Sequence, residues 1–150
     1  MTDIFPSQID YILPMKYINY SDYFEGKAFD ENGIRKKQIL AEGTYKDYKW
    51  YIVSYRTHPC AYIVTKMNDP CYKKPYSQIN LDVHGGLTYS EYGLKDIIED
   101  TEWVIGWDYA HYGDYTPYSI EKTKKWTTIE ICYDIIRAID TITNSNDIIK

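Results

Sequence analysis

In the stretch Val83-His84-Gly85-Gly86-Leu87-Thr88-Tyr89 a histidine stands before two glycines, directly after residues with strand character. Glycine takes positive φ at no steric cost, so such a pair lets the backbone approach a ligand closely and turn amide N–H groups toward an anion. Alone, His-Gly-Gly reads more readily as a tight turn carrying a surface histidine. The segment Gly106-Trp107-Asp108-Tyr109-Ala110-His111-Tyr112-Gly113-Asp114-Tyr115 adds potential partners, because Asp108, His111 and Asp114 recur at intervals of three among aromatic residues. On a straight strand Asp108 and His111 face opposite ways, but Gly113 and the polar run predict a turn or bulge where the three converge. A carboxylate beside an imidazole fixes its tautomer, which suits a general base, a metal ligand or a phosphate-facing donor alike. A hydrogen-bonded corner packed with tyrosines accounts for the same residues without any ligand.

These residues need a scaffold, and the chain is long enough to build one. Its 150 residues match a single domain, 1–150, with a variable lead over 1–41 and a motif-bearing core over 42–142. Eighteen tyrosines supply much of the apolar content, so tyrosine is expected in both core and pocket walls. The formal charge of −5 argues against duplex nucleic acid and against a membrane surface, both of which reward a basic face. Cys60, Cys71 and Cys132 form no Cys-x-x-Cys pair and are expected to be plain thiols. With no signal-like lead and no long apolar run, the expected location is the cytoplasm, that of a host cell if the chain is phage-encoded.

The lead reads as irregular or partly helical, interrupted by Pro6 and Pro14, with a turn at Asn32-Gly33. β-Branched and aromatic residues over 44–57 and 60–66 predict strands, and Gln78–Val83 a third short one. Leu94, Ile97 and Ile98 have helical spacing, predicting a short inserted helix after Gly93. Residues 102–107 predict a central strand. From Trp126 the spacing predicts a helix capped by Thr127 or Thr128, with Glu130 at the positive end of its dipole. Its stripes, Ile129/Cys132/Ile136/Ile139 and Ile131/Ile135/Ala138, predict burial on more than one side. The expected class is α+β, a mainly antiparallel sheet with a packed C-terminal helix and the short inserted one.

With these elements in place, the linked motifs carry a resemblance. His84-Gly85-Gly86-Leu87-Thr88-Tyr89, then Gly106-Trp107-Asp108 with Ala110-His111 and Gly113-Asp114, resembles a widespread family of small phage and bacterial proteins with the pattern H-G-G-L-T-[YF] followed by G-[FW]-D-x-A-H-x-G-D. It spans about residues 50–140; His58-Pro59 matches an upstream element more loosely, and the first 40 residues have no counterpart. The resemblance implies a phage-type origin, an anti-defence role and a shared pocket at these motifs, but no assigned activity.

Two readings follow. In the first, the chain binds and sequesters a small nucleotide-type signal of a bacterial immune response. His84, Gly85, Gly86, Thr88, Tyr89, Trp107, Asp108, His111, Asp114 and Arg56 are then the ligand-binding residues. Aromatic planes stack a base, while Arg56, histidine and glycine amides hold phosphate or ribose. Tight sequestration implies an enclosed ligand and favours a homo-oligomer that covers it. In the second, a hydrolase or phosphodiesterase uses His84 and His111 as acid and base, oriented by Asp108 or Asp114, with the Gly85-Gly86 amides facing developing charge. No phosphate-binding loop, zinc-protease, serine-hydrolase, dinucleotide or two-histidine phosphoesterase motif is present, and the His/Asp spacing matches no metal motif. Neither a metal nor a cofactor is therefore assigned, and enzyme against binder stays open.

Overall fold

The computed structural model describes residues 10–12, 31–32, 37–116, 118–119, 122–144 and 147–150. Among the described residues six strands form one sheet: β1 (Asp10–Ile12), β2 (Gln38–Tyr45), β3 (Tyr48–Ser54), β4 (Pro59–Val64), β5 (Tyr89–Leu94) and β6 (Ile98–Asp108). Their order is β1-β2-β3-β4-β6-β5, and every neighbouring pair is antiparallel. The α-helix α1 (Thr128–Asn144) packs on the sheet, so the α+β class with a mainly antiparallel sheet holds.

Tight turns set the register. Lys46 and Asp47 both have positive φ, the backbone that a two-residue hairpin between twisted strands requires, and they join β2 to β3. The predicted strand over 44–57 is thus the end of one strand, a turn and all of the next. Between β3 and β4 the turn Tyr55–His58 closes with a 3.0 Å bond from Tyr55 N–H to His58 C=O, with Arg56 at φ 70°.

Alternation along the strands makes two faces. Trp50, Ile52, Ala61, Ile63, Ile105 and Trp107 point to the α1 side, where Ile131, Ile135, Ile136 and Ile139 complete a dry core. Each such side chain contributes roughly 1.5–3 kcal/mol on leaving water. Val53, Cys60, Tyr62, Val64 and Val104 occupy the opposite face, with Leu94 and Ile98. Cys60, Cys71 and Cys132 are buried and form no disulfide, and burial pushes the thiols of Cys71 and Cys132 up to about 12.

The cap of α1 is a capping box: Glu130 N–H donates to Thr127 Oγ1 at 3.2 Å, and Thr127 N–H donates to Glu130 Oε1 at 3.0 Å. Of the predicted stripes only Ile129, 57% exposed, faces water.

Three expectations are corrected. The helix after Gly93 is a hairpin instead, because Leu94 pairs with Ile98 across a turn in which Asp96 takes φ 69°, so the apolar residues meet across two strands rather than along a helix. Gln78–Val83 is not a strand; Ile79 makes one isolated bridge to Ile149, and Leu81 enters the helix-side core from extended chain. The lead contributes sheet, with β1 paired to β2, which itself starts at Gln38. Pro6, Pro14 and Gly33 lie outside the described residues.

Candidate functional site

Beyond β6 the chain turns back on itself over 109–115, and Asp114 becomes the hub of a buried corner. It is 5% exposed, and a carboxylate there needs donors. Three reach it: His84 Nε2 at 2.7 Å and His111 backbone N–H at 3.0 Å, both to Oδ2, and the Trp126 indole N–H at 2.8 Å to Oδ1. Because a carboxylate only accepts, His84 carries its proton on Nε2. The His84 ring stacks on Tyr109 at 4.7 Å and 4°, and Trp126 lies 4.7 Å away at 55°. Tyr109 in turn accepts from the Trp107 indole and donates to Asp134 Oδ2 at 2.6 Å; burial first, then Asp134, pushes its hydroxyl far above the ordinary tyrosine value. Every ring in this corner is locked by another.

Gly85 makes the two motifs meet. A Cβ at its φ of 70° would lie 2.2 Å from His111 Nε2, so only glycine lets the His111 ring close over this turn. The ring then sits at the edge of the corner, with Nε2 3.2 Å from Asp108 Oδ1 but not aligned to donate to it.

Asp108 belongs to the opposite face. It pairs with Cys60 across β4 and β6, and its carboxylate accepts from Thr88 Oγ1 at 3.2 Å and Ala110 N–H at 3.1 Å. In front of it opens a cavity of about 310 Å³ whose walls are largely tyrosine. Tyr62 crosses Tyr89 edge to face at 5.2 Å, Tyr55 and Tyr62 share a 2.6 Å hydroxyl bond, and His58 stacks on Tyr55 at 5.9 Å. Tyr89 donates to Gly93 C=O at 2.6 Å, and burial, with Glu91 and Tyr55 nearby, pushes its hydroxyl up to about 12. Gly106 makes this wall: a Cβ there would lie 2.5 Å from the Tyr62 ring and 2.7 Å from Ala61 C=O. Thr88 and Cys60 complete the lining, which carries no lysine or arginine among the described residues.

The sequence-predicted residues therefore divide. His84, Gly85, His111 and Asp114 come together in the corner, while Thr88, Tyr89 and Asp108 line the cavity. Trp107 borders the cavity but is 1% exposed, its ring turned to the helix side. Gly86, at φ 83°, has nothing among the described residues within 4 Å of where a Cβ would stand. Arg56 sits in the β3–β4 turn between two residues of the cavity wall, Tyr55 and His58, and is not itself part of the lining. Sequence reasoning missed Tyr55, His58, Cys60 and Tyr62 as wall residues; the even spacing of Cys60 and Tyr62 on one strand face was the available signal. Among the described residues no group of three or more His, Cys, Asp or Glu is arranged to hold a metal ion, and no helix is long and apolar enough to cross a membrane. No protein-family model, curated protein or solved structure matches the chain.

Proposed function

We propose that this chain is a binding protein that takes the base of a small nucleotide-type ligand into the tyrosine-walled cavity, in the signal-sequestering, anti-defence role implied by the phage proteins it resembles. The observation that carries the reading is the wall itself: Tyr55, Tyr89 and His58 offer ring surfaces around about 310 Å³, backed by the buried Tyr62, with Thr88 and the Asp108 carboxylate placed beside them. A base has two apolar faces and a polar edge with N–H donors, and this lining has the matching parts. Each stacked ring supplies roughly 1–3 kcal/mol. Nanomolar sequestration needs about −12 kcal/mol, more than one open wall supplies, so a second copy covering the mouth is expected in the ligand-bound state.

The test is titration of the purified chain with the four ribonucleosides and their 5′-monophosphates by calorimetry, followed by heating and mass spectrometry of what is released. Intact ligand, with Tyr89→Leu weakening binding by roughly 5- to 150-fold, is the expected result. Binding indifferent to Tyr89→Leu and Tyr55→Leu sinks the reading.

One observation favours the hydrolase as a second reading: His111 Nε2 lies 3.2 Å from Asp108 at the cavity edge, an imidazole beside a carboxylate. His84, held by Asp114 and flanked by rings, is a positioning element in either version. Cleaved product beyond one equivalent, abolished by His111→Asn, would select this reading.

A further inference from the structure

Residues 110–114 also line a second concavity, of about 390 Å³. Its lining differs in kind from that of the first. His111, Thr116, Ser119, Lys122 and Thr123 bring nitrogen and hydroxyl groups to it, and Tyr112 and Tyr118 stand at its rim, 97% and 77% exposed. Of its buried polar atoms, Thr123 Oγ1 has no hydrogen-bond partner among the described residues, and His111 Nε2 lies 3.2 Å from Asp108 Oδ1 without making a hydrogen bond to it. A buried polar atom without a partner costs free energy unless a ligand or water meets it, so Thr123 Oγ1 points to an occupant with polar atoms.

The charge around this concavity favours an anion. Lys122, Lys124 and Lys125 put three cations into four residues of a chain whose formal charge is −5. Lys124 is drawn to Glu130 at 2.7 Å and Lys125 lies 4.2 Å over the Tyr115 ring, which leaves Lys122 as the cation of the lining. Asp114 also borders the concavity, yet its carboxylate is taken up by His84, His111 and Trp126 and is directed into the corner. Its repulsion toward an anion is thereby blunted.

We infer that this second concavity is an oxyanion subsite that holds the phosphate end of the same ligand whose base occupies the tyrosine cavity, with Lys122, His111 and Thr123 as its donors. The inference rests on the proposed binding function for its ligand class, and on the second concavity alone for the anion. The two linings adjoin along the chain, because Asp108 lines one cavity while Ala110 and His111 line the other. It also explains how a tyrosine wall with no lysine or arginine serves an anionic molecule: base and phosphate are received by neighbouring parts of one short segment.

The first arm of the test uses inorganic phosphate alone. Backbone amide NMR of the full chain is expected to show saturable shifts at Gly113, Ser119 and Thr123, lost in Lys122→Ala and reduced in His111→Asn. The absence of shifts, or shifts indifferent to Lys122→Ala, overturns the subsite. The second arm compares each ribonucleoside with its 5′-monophosphate. The monophosphate is expected to bind about tenfold tighter, with the advantage abolished by Lys122→Ala and by raised salt. Equal affinity of the two forms overturns the subsite while leaving the base cavity standing. Phosphate shifts at 113–123 without any nucleoside effect at Thr88 or Tyr89 would uphold the oxyanion subsite and reject the base cavity.

Discussion

Asp108 and Asp114 belong to one motif, yet the fold gives them opposite work. Asp114 is buried under three donors and surrounded by His84, Tyr109 and Trp126, rings that fix one another. Asp108 keeps a quarter of its side chain exposed, accepts from one hydroxyl and one amide, and faces an open cavity. A cluster of histidine, carboxylate and glycine is here divided between a corner that holds the chain and a wall that faces a cavity. The dividing line is the end of β6, where pairing with β4 stops and the backbone turns. Up to Asp108 the sheet's alternation decides where a side chain points; after it the turn decides.

Substitution of the two aspartates is the hardest test of this contrast. Asp114→Ala leaves the His84, His111 and Trp126 donors without an acceptor, and a loss of about 3–5 kcal/mol in unfolding free energy is expected from urea melts. Asp108→Ala is expected to cost about 1 kcal/mol or less while weakening ligand binding. Equal destabilisation by both would dissolve the distinction between corner and cavity.

The adjacent glycines sharpen it further. Gly85→Ala drives a methyl into the His111 ring at a φ that L residues avoid, with an expected cost of about 2–3 kcal/mol and a displaced imidazole. Gly86→Ala meets open space and carries the backbone penalty alone, about 1 kcal/mol. Thermal unfolding of the pair, with the His111 ring signals followed by NMR, reads both effects; a Gly86 variant as damaged as the Gly85 variant would show that His111 is not what the glycine accommodates.

The smallest effect concerns the link from corner to helix. Lys124 lies 3.9 Å over the Trp126 ring and 2.7 Å from Glu130, the residue that closes the cap of α1. Burial alone would raise the Glu130 carboxyl, but hydrogen bonds from Lys124 and Thr127 outweigh it and hold the pKa below its usual 4.5. A carboxyl depressed in the folded state contributes stability that is complete above 4.5 and is lost as pH falls through the lower folded value. Glu130→Gln is expected to remove about 0.5–1 kcal/mol at neutral pH and to flatten the stability profile in that acid window. An unchanged acid profile would place the pH dependence elsewhere.

Local chemistry made several elements readable from the chain itself. Thr127 and Glu130 announce the helix start because a capping box needs only residues three apart, and the apolar spacing of α1 follows from a period internal to the helix. The runs that became β3, β4 and β6 were readable as strands for the same reason. Leu94, Ile97 and Ile98 were not, since the same spacing suits a helix or two strands meeting across a turn; positive φ at Gly93 and Asp96 and pairing with β6 settled it. The meeting of His84 with Asp114, 30 positions apart, depended on the loop before β5 folding against the turn after β6. The tyrosine wall depended still more on register, because Tyr62 and Tyr89 both stand opposite Gly106 and Cys60 opposite Asp108 only once three strands are aligned. Sequence alone determined the α+β class, the capped helix and the pool of chemically capable residues, all of which rest on short-range propensity and periodicity. Which of those residues face a cavity and which are spent holding the chain was decided only by the tertiary structure, because that choice rests on strand pairings and close approaches between positions far apart along the backbone.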